Sequence, residues 1–213
     1  MRFDLTPFEQ ELKELLARFE ESRFISTLPV KKRDQTVREM AESGDGDAQA
    51  YLAWLQMGGA YGSYARDVST TPDLLSAATW ARRSAKQNNL SGHAVLFLLL
   101  FRGGPGLEPV REEAVKSLRV LAEREWAEAQ ALLGECCYMG KGMPENNAEA
   151  LKWFRLAIQN GCWRAGNNLA DMYEYGHGVP ENREEAVRLR MQAAKSSPAH
   201  PYASRHKIGD DGL

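Results

Sequence analysis

Apolar residues recur at three- and four-residue spacing along most of the chain, which is typical of amphipathic helices. One such stripe runs through residues 129–138 and a second through residues 150–158. Gly140 and Gly142 lie between them, and glycine readily adopts the left-handed backbone that ends a helix. No segment alternates apolar and polar residues as a half-buried strand does. The pattern therefore predicts an all-α protein built from helix–turn–helix units.

The helix–turn–helix pattern is repeated after 36 residues. Four turn residues recur without a gap, namely Gly140, Gly142, Pro144 and Asn146 in one copy and Gly176, Gly178, Pro180 and Asn182 in the next. Fainter copies lie upstream, one of them expanded by residues 58–72 and one shortened in its loop. Repetition at this period is the signature of a helical-repeat array. We predict four repeats, at 44–89, 90–124, 125–160 and 161–196.

The two ends of the chain differ from these repeats. Thr6, Pro7 and Glu9 form a helix-start signal, which predicts a helix to about residue 22. A second helix is predicted from about residue 34 to residue 42. Residues 1–43 are therefore interpreted as an N-terminal helical capping hairpin, which a solenoid needs to cover its first open face. The turn-rich composition of residues 197–213 predicts a C-terminal tail.

The repeated string of Ala, Leu-Gly, Tyr, Gly-x-Gly-x-Pro and Glu-Ala-x-x-Trp resembles the Sel1-like repeat (SLR) family, a relative of the tetratricopeptide repeats. The resemblance is strong over residues 125–196 and weaker over residues 44–124. It implies a right-handed α-α superhelix, or solenoid, of helical hairpins that holds partner proteins or assembles complexes. A repeat framework of this kind does not imply a particular reaction.

Composition and charge narrow the class of partner. The 27 Lys and Arg residues nearly balance the 29 Asp and Glu residues, so the formal net charge is −2. Proteins that bind nucleic acid usually carry a basic face, and the longest apolar run, residues 94–101, is far shorter than the roughly 20 residues of a membrane-spanning helix. We expect neither nucleic acid nor a membrane as a partner. The acidic N-terminus and three unevenly spaced cysteines favour a reducing, cytoplasmic compartment.

Residues that could carry chemistry are few and scattered. Lys141 lies between two glycines, but no strand precedes this turn and no Gly-Lys-Ser/Thr enters a helix, so it is not interpreted as a phosphate loop. Cys136, Cys137 and Cys162 lack the paired spacing of a metal site, and the four histidines lie apart from one another. We therefore expect no metal, no cofactor and no enzyme activity, and we assign the cysteines to buried packing.

The candidate binding residues lie beside the packing stripe on the first helix of each repeat. They are polar or aromatic and are expected to line a concave surface that binds a protein or peptide, as amides and rigid aromatic rings do at interfaces. They are Tyr51, Trp54, Glu135, Tyr138, Arg164, Asn167, Asn168, Asp171, Glu174 and Tyr175. The alternative is a solvated helix face. In the second repeat the same stripe is apolar and consists of Leu96, Phe97 and Leu100. This predicts one of two arrangements. Either the helix is covered on all sides, for example by the insertion at residues 58–72, or it exposes an apolar patch.

The leading functional hypothesis is a non-catalytic protein-interaction scaffold or adaptor. One alternative is a bacterial immunity or chaperone-type protein that neutralises or escorts a toxin or effector, as the family resemblance allows. A less favoured alternative is a hydrolase of the β-lactamase-like kind, because some cysteine-rich members of the family are linked to β-lactams. No residues for such a reaction can be named here.

Overall fold

The computed structural model describes residues 4–23, 25–57 and 73–197, which form ten α-helices and one 3₁₀ turn, Ile25–Thr27. The helices are α1 Thr6–Ser22, α2 Val30–Glu42, α3 Gly46–Gln56, α4 Leu74–Ala85, α5 Leu90–Arg102, α6 Arg111–Glu123, α7 Ala127–Met139, α8 Asn147–Gln159, α9 Ala165–Tyr175 and α10 Arg183–Ser196. Within these residues the sole extended pairing is an isolated bridge between Gly104 and Leu107. The prediction of an all-α helical-repeat fold is confirmed.

Consecutive helices pack in pairs that follow the repeat period. Helix α3 packs on α4, α7 on α8 and α9 on α10, while α5 and α6 occupy the second predicted repeat. The chain divides into two compact units, an N-terminal unit (Met1–Leu121) and a C-terminal unit (Ala122–Leu213). The two units are described separately below.

The repeated turn has the geometry that its residues predict. Gly140 and Gly176 follow α7 and α9 in the left-handed conformation, with φ of 62° and 67°. Asn146 and Asn182 then cap the next helices, each accepting a hydrogen bond of 3.0 Å from the backbone N–H three residues on. Such a cap satisfies one of the N–H groups that a helix start leaves without a partner. The predicted helix boundaries at these turns are confirmed.

Two buried glutamines tie the first and third predicted repeats to the helices that precede them. Gln49 donates a hydrogen bond of 3.0 Å to the carbonyl of Ala41, at the end of α2. Gln130 donates an equivalent bond of 3.0 Å to the carbonyl of Ala122, at the end of α6. Both side chains are buried, at 5% and 2% exposure. A satisfied buried amide fixes the angle between neighbouring helices, because leaving it without a partner would be unfavourable.

His93 lies at the same position in α5. It follows the N-cap residue Asn89 by four residues, as Gln49 follows Asp45 and Gln130 follows Trp126. Both of its ring nitrogens are shielded from solvent and have no hydrogen-bond partner in the described part of the chain. Partial burial lowers the pKa of His93, because the charged imidazolium is less well solvated there.

The two N-terminal helices, predicted as a capping hairpin, both pack on helices of the repeats that follow them. Helix α2 begins at Val30, directly after Pro29, and packs on α3. The prediction placed its start near residue 34, because the first turn consists largely of basic residues that carry no apolar signal. Helix α1 reaches beyond the first repeat and packs against both α3 and α5. The Phe8 ring meets the Phe97 ring edge-on at 5.1 Å between centroids.

This position of α1 explains the apolar stripe of α5. Leu96, Phe97 and Leu100 are all buried, at 4%, 0% and 0% exposure. The alternative of an exposed apolar patch on the second repeat is therefore wrong, because α1 packs on this helix and its Phe8 covers Phe97. The suggested cover by residues 58–72 lies outside the described residues.

Candidate binding surface

Polar side chains link the two first helices of the C-terminal unit, α7 and α9, at three levels. Arg164 donates to Glu128 at 2.7 Å near the start of both helices. Asn168 donates to Glu135 at 2.9 Å near their middle. At the C-terminal end of α7, the Tyr138 hydroxyl shares a hydrogen bond of 2.6 Å with Nδ1 of His177, in the turn that follows α9. We call the surface formed by the three pairs and by Asn167, Asp171, Glu174 and Tyr175 the α7/α9 face.

The first level is a buried ion pair. The side chains of Glu128 and Arg164 are only 11% and 17% exposed. The thiol of Cys162 also points to the Glu128 carboxylate, at 3.4 Å. A buried carboxylate needs such partners, because its desolvation is otherwise very unfavourable. Arg164, predicted as a partner contact, is therefore engaged in holding α9 against α7.

The middle level is also satisfied within the protein. Asn168 is 9% exposed and bonds to the partly buried Glu135. The prediction treated the Asn168 amide as available to a peptide backbone, but one of its two N–H donors is already bonded to Glu135 and the side chain is largely buried. These two residues shape the floor of the face, whereas the neighbouring Asn167 is exposed.

The far end of the face is the most accessible part. Tyr175 is 63% exposed, the highest value among the large apolar or aromatic side chains in the described residues. Asp171 accepts a hydrogen bond of 2.7 Å from Arg190 of α10, and Glu174 accepts a second from the same guanidinium. Two carboxylates thus share one cation at the edge of the face, so this group keeps a net negative charge.

An imidazole lies between two phenol rings at this end. The His177 ring is 5.6 Å from the Tyr138 ring and 5.9 Å from the Tyr175 ring, measured between centroids. Burial raises the pKa of the Tyr138 phenol, and nearby Asp171 and Glu145 raise it further. Tyr138 therefore stays a neutral hydrogen-bonding group.

His177 is not among the binding residues that the sequence predicts. The signal that could have identified it is its place between Gly176 and Gly178, at the turn where the preceding repeat carries Lys141. Glycine turns project the side chain between them away from the helices, so the residue there varies without disturbing the packing.

The candidate residues of the N-terminal unit are not at the surface. Tyr51 is 5% exposed, contacts the Phe19 ring of α1 at 5.5 Å and donates its hydroxyl hydrogen to Glu20. Trp54 is 8% exposed. The expectation that Tyr51 and Trp54 line an accessible concave surface is corrected by this burial, which removes their side chains from contact with a partner in this arrangement.

The three cysteines have surroundings that suit packing. All three are buried, and none of them forms a disulfide bond. Burial raises the pKa of Cys136 to about 12 and that of Cys162 to about 11, so both stay protonated near neutral pH. The thiolate is the nucleophilic form, so these groups are poorly suited to covalent catalysis.

No group of three or more His, Cys, Asp or Glu residues in 4–23, 25–57 and 73–197 could hold a metal ion. No helix in these ranges is both long enough and apolar enough to cross a membrane.

Comparison with known proteins identifies the framework that carries this face. The model of the Sel1 repeat family matches residues 46–89, 127–162 and 164–196. The second predicted repeat, residues 90–124, lies outside the matched segments. A solved Sel1 repeat protein from Oxalobacter formigenes is 26% identical with a TM-score of 0.64, and the match covers 78% of this chain and 65% of that chain. A comparison with curated proteins finds no match.

A second solved structure shares the fold. It is c5321, a protective antigen present in uropathogenic Escherichia coli strains displaying an SLR fold, which is 24% identical with a TM-score of 0.62. The match covers 85% of this chain and 44% of that chain. The chain therefore spans less than two thirds of the length of either of these proteins.

Proposed function

The chain belongs to the Sel1 repeat family, and we propose that it is a non-catalytic scaffold that binds a protein or peptide on the α7/α9 face. Sel1 repeat proteins are generally protein-interaction scaffolds. The observation that supports this site is the juxtaposition of exposed Asn167 and Tyr175 with polar pairs that hold the surface rigid.

The polar pairs act by preorganisation. Because Glu128–Arg164 and Glu135–Asn168 are already formed, a partner does not have to order these side chains when it binds. The residues that contact the partner are then Tyr175 and Asn167. The Tyr175 ring supplies rigid contact area at low entropic cost, and the Asn167 amide can form hydrogen bonds with a peptide backbone.

Charge indicates the chemistry of the partner. Asp171 and Glu174 share the single cation of Arg190, so their group keeps a net negative charge beside the exposed Tyr175 ring. Complementary charge favours a partner segment that carries Lys or Arg, and such a cation can also lie over the phenol face. Binding of this kind weakens as salt concentration rises.

A displayed random-peptide library selected on the intact chain tests the proposal. We expect enriched peptides to carry basic residues and to bind the Asn167→Ala/Tyr175→Ala double variant about tenfold more weakly than the wild type. Titration calorimetry measures this difference. Gln192→Ala, at an exposed position of α10, is the matched control and should bind like the wild type.

Two results would contradict the site. Equal affinity of the enriched peptides for wild type and double variant would place binding elsewhere on the chain. Enrichment of acidic sequences would overturn the charge argument. Thermal melts show whether the double variant is folded when its binding is measured. Its melting temperature should be close to that of the wild type, since substitution of exposed side chains of this kind changes stability little.

A further inference from the structure

Helix α1 lies on the N-terminal unit in the way that a helical ligand lies in a groove. Its buried apolar side chains follow one face at intervals of four, four and three residues, and they are Phe8, Leu12, Leu16 and Phe19. The helix packs against α3 and α5, with Phe8 on Phe97 and Phe19 on Tyr51. An amphipathic helix with anchors at this spacing is a recurring mode of recognition between proteins.

Closing the end of the repeat array does not require α1. Helix α2 packs on α3 and accepts the Gln49 hydrogen bond at Ala41. The same bond joins Gln130 to Ala122 at the end of α6, so α2 fills the place of a preceding second helix. Helix α2 thus covers the end of the array. Helix α1 is a further helix, which packs on the face formed by α3 and α5.

Carboxylates mark both ends of the contact. Glu9 is 6% exposed and forms an ion pair with Arg102 of α5. Glu20 accepts a hydrogen bond from Tyr51 of α3, and burial raises the pKa of Glu20. Burying carboxylates opposes docking, while their fixed partners select the position and direction of the helix.

We propose that the α3/α5 face is a helix-binding groove, and that α1 occupies it in competition with a helix of a partner protein. The partner helix presents an aromatic residue, two leucines and a second aromatic residue at the α1 spacing. It also carries a carboxylate directly after the first aromatic residue, which replaces Glu9 at Arg102. This groove lies entirely within the N-terminal unit, so the proposal does not depend on the α7/α9 face.

The test uses the full chain and a fluorescein-labelled peptide of residues 4–23, followed by fluorescence anisotropy. Leu12→Asp places a charge in the contact and should release α1, so the labelled peptide should bind this variant about tenfold more tightly than the wild type. Ala17→Asp, at an exposed position of α1, is the matched control and should bind like the wild type. A labelled peptide carrying Leu16→Asp should bind neither chain. Hydrogen exchange of the α1 amides confirms its release.

Several outcomes would overturn the proposal. One is a Leu12→Asp chain whose α1 exchanges freely but whose peptide affinity is unchanged. Another is a variant chain that forms dimers and binds no peptide, which would assign the groove to a second copy. If Leu12→Asp does not fold, Phe8→Ala takes its place, because it removes the Phe97 contact without adding charge. Loss of the whole N-terminal unit in both variants would show that α1 is part of the core.

Discussion

Equivalent positions on the first helix of a repeat are apolar in the N-terminal unit and polar in the C-terminal unit. Trp54, Leu98 and Glu135 each follow the N-cap of their helix by nine residues. In the N-terminal unit the two residues at this position are apolar and buried, at 8% and 0% exposure. In the C-terminal unit the position holds a carboxylate that accepts a hydrogen bond from Asn168.

The difference shows which positions the framework leaves free. Packing within a hairpin constrains the alanines, leucines and turn glycines, and these recur in every well-formed repeat. The adjacent stripe is not used by the hairpin itself. It can be apolar and covered by a helix of the same chain, as beneath α1, or polar and self-paired, as on α7 and α9. The stripe therefore decides what each unit can bind.

The largest expected effect comes from removing an aromatic anchor of the covered face. Phe97 is fully buried between Phe8 and Phe101, so Phe97→Ala should reduce the free energy of unfolding by about 3–5 kcal/mol. Tyr175→Ala on the α7/α9 face should change it by less than about 0.5 kcal/mol, because that ring is largely exposed. Urea unfolding measures both values. Similar losses in the two variants would abolish the distinction between a covered and an open face.

The second prediction compares the free energy of unfolding that is lost when a buried ion pair of the α7/α9 face is removed with the loss for a more exposed ion pair at its edge. Arg164→Ala leaves the Glu128 carboxylate buried without its main partner and should reduce the free energy of unfolding by about 3 kcal/mol. Adding Glu128→Gln should recover much of this loss by removing the charge. Arg190→Ala is the control, with an expected loss of at most about 1 kcal/mol because its ion pairs are more exposed. Equal losses for Arg164→Ala and Arg190→Ala would contradict the structural role of the first pair.

Parts of this arrangement were predictable from the sequence. Helix pairs and turns followed from local signals, such as Gly140 ending one helix and Asn146 starting the next. The Glu128–Arg164 pair also has a sequence signal, since opposite charges one 36-residue period apart face each other on neighbouring first helices. Arg164 taken alone predicts only a surface position, and the pairing emerges when the two repeats are aligned.

The position of α1 could not be predicted in the same way. Its apolar stripe shows that one face is buried but does not say against which surface. The partner surface is assembled from α3 and α5, which are separated in sequence by a helix and an insertion, so only tertiary contacts bring it together. Tyr51 was misassigned for this reason, because a side chain that is open in an isolated repeat is covered by Phe19 and Glu20 of the distant helix α1.

The smallest effect concerns the helix-linking position, which holds Gln130 in the C-terminal unit and His93 in the second repeat. Both ring nitrogens of His93 are shielded from solvent without a hydrogen-bond partner among the described residues, and desolvation lowers its pKa below the ordinary 6.5. The unfolded chain therefore binds a proton at a higher pH than the folded chain does. Stability should fall as the pH drops below about 6.5, by up to about 1.4 kcal/mol for each unit by which the pKa is lowered.

His93→Gln should remove this acid sensitivity and also create a hydrogen bond. The carbonyl of Ala85 accepts the N–H of Asn88, just as the Ala122 carbonyl accepts the N–H of Glu125 while also accepting Gln130. A glutamine at residue 93 can therefore reach Ala85 in the same way. Gln130→His is the reciprocal control and should make the C-terminal unit acid-sensitive. Urea unfolding at pH 8 and pH 5.5 measures both variants. An unchanged difference between the two pH values in His93→Gln would show that the acid sensitivity arises at another group.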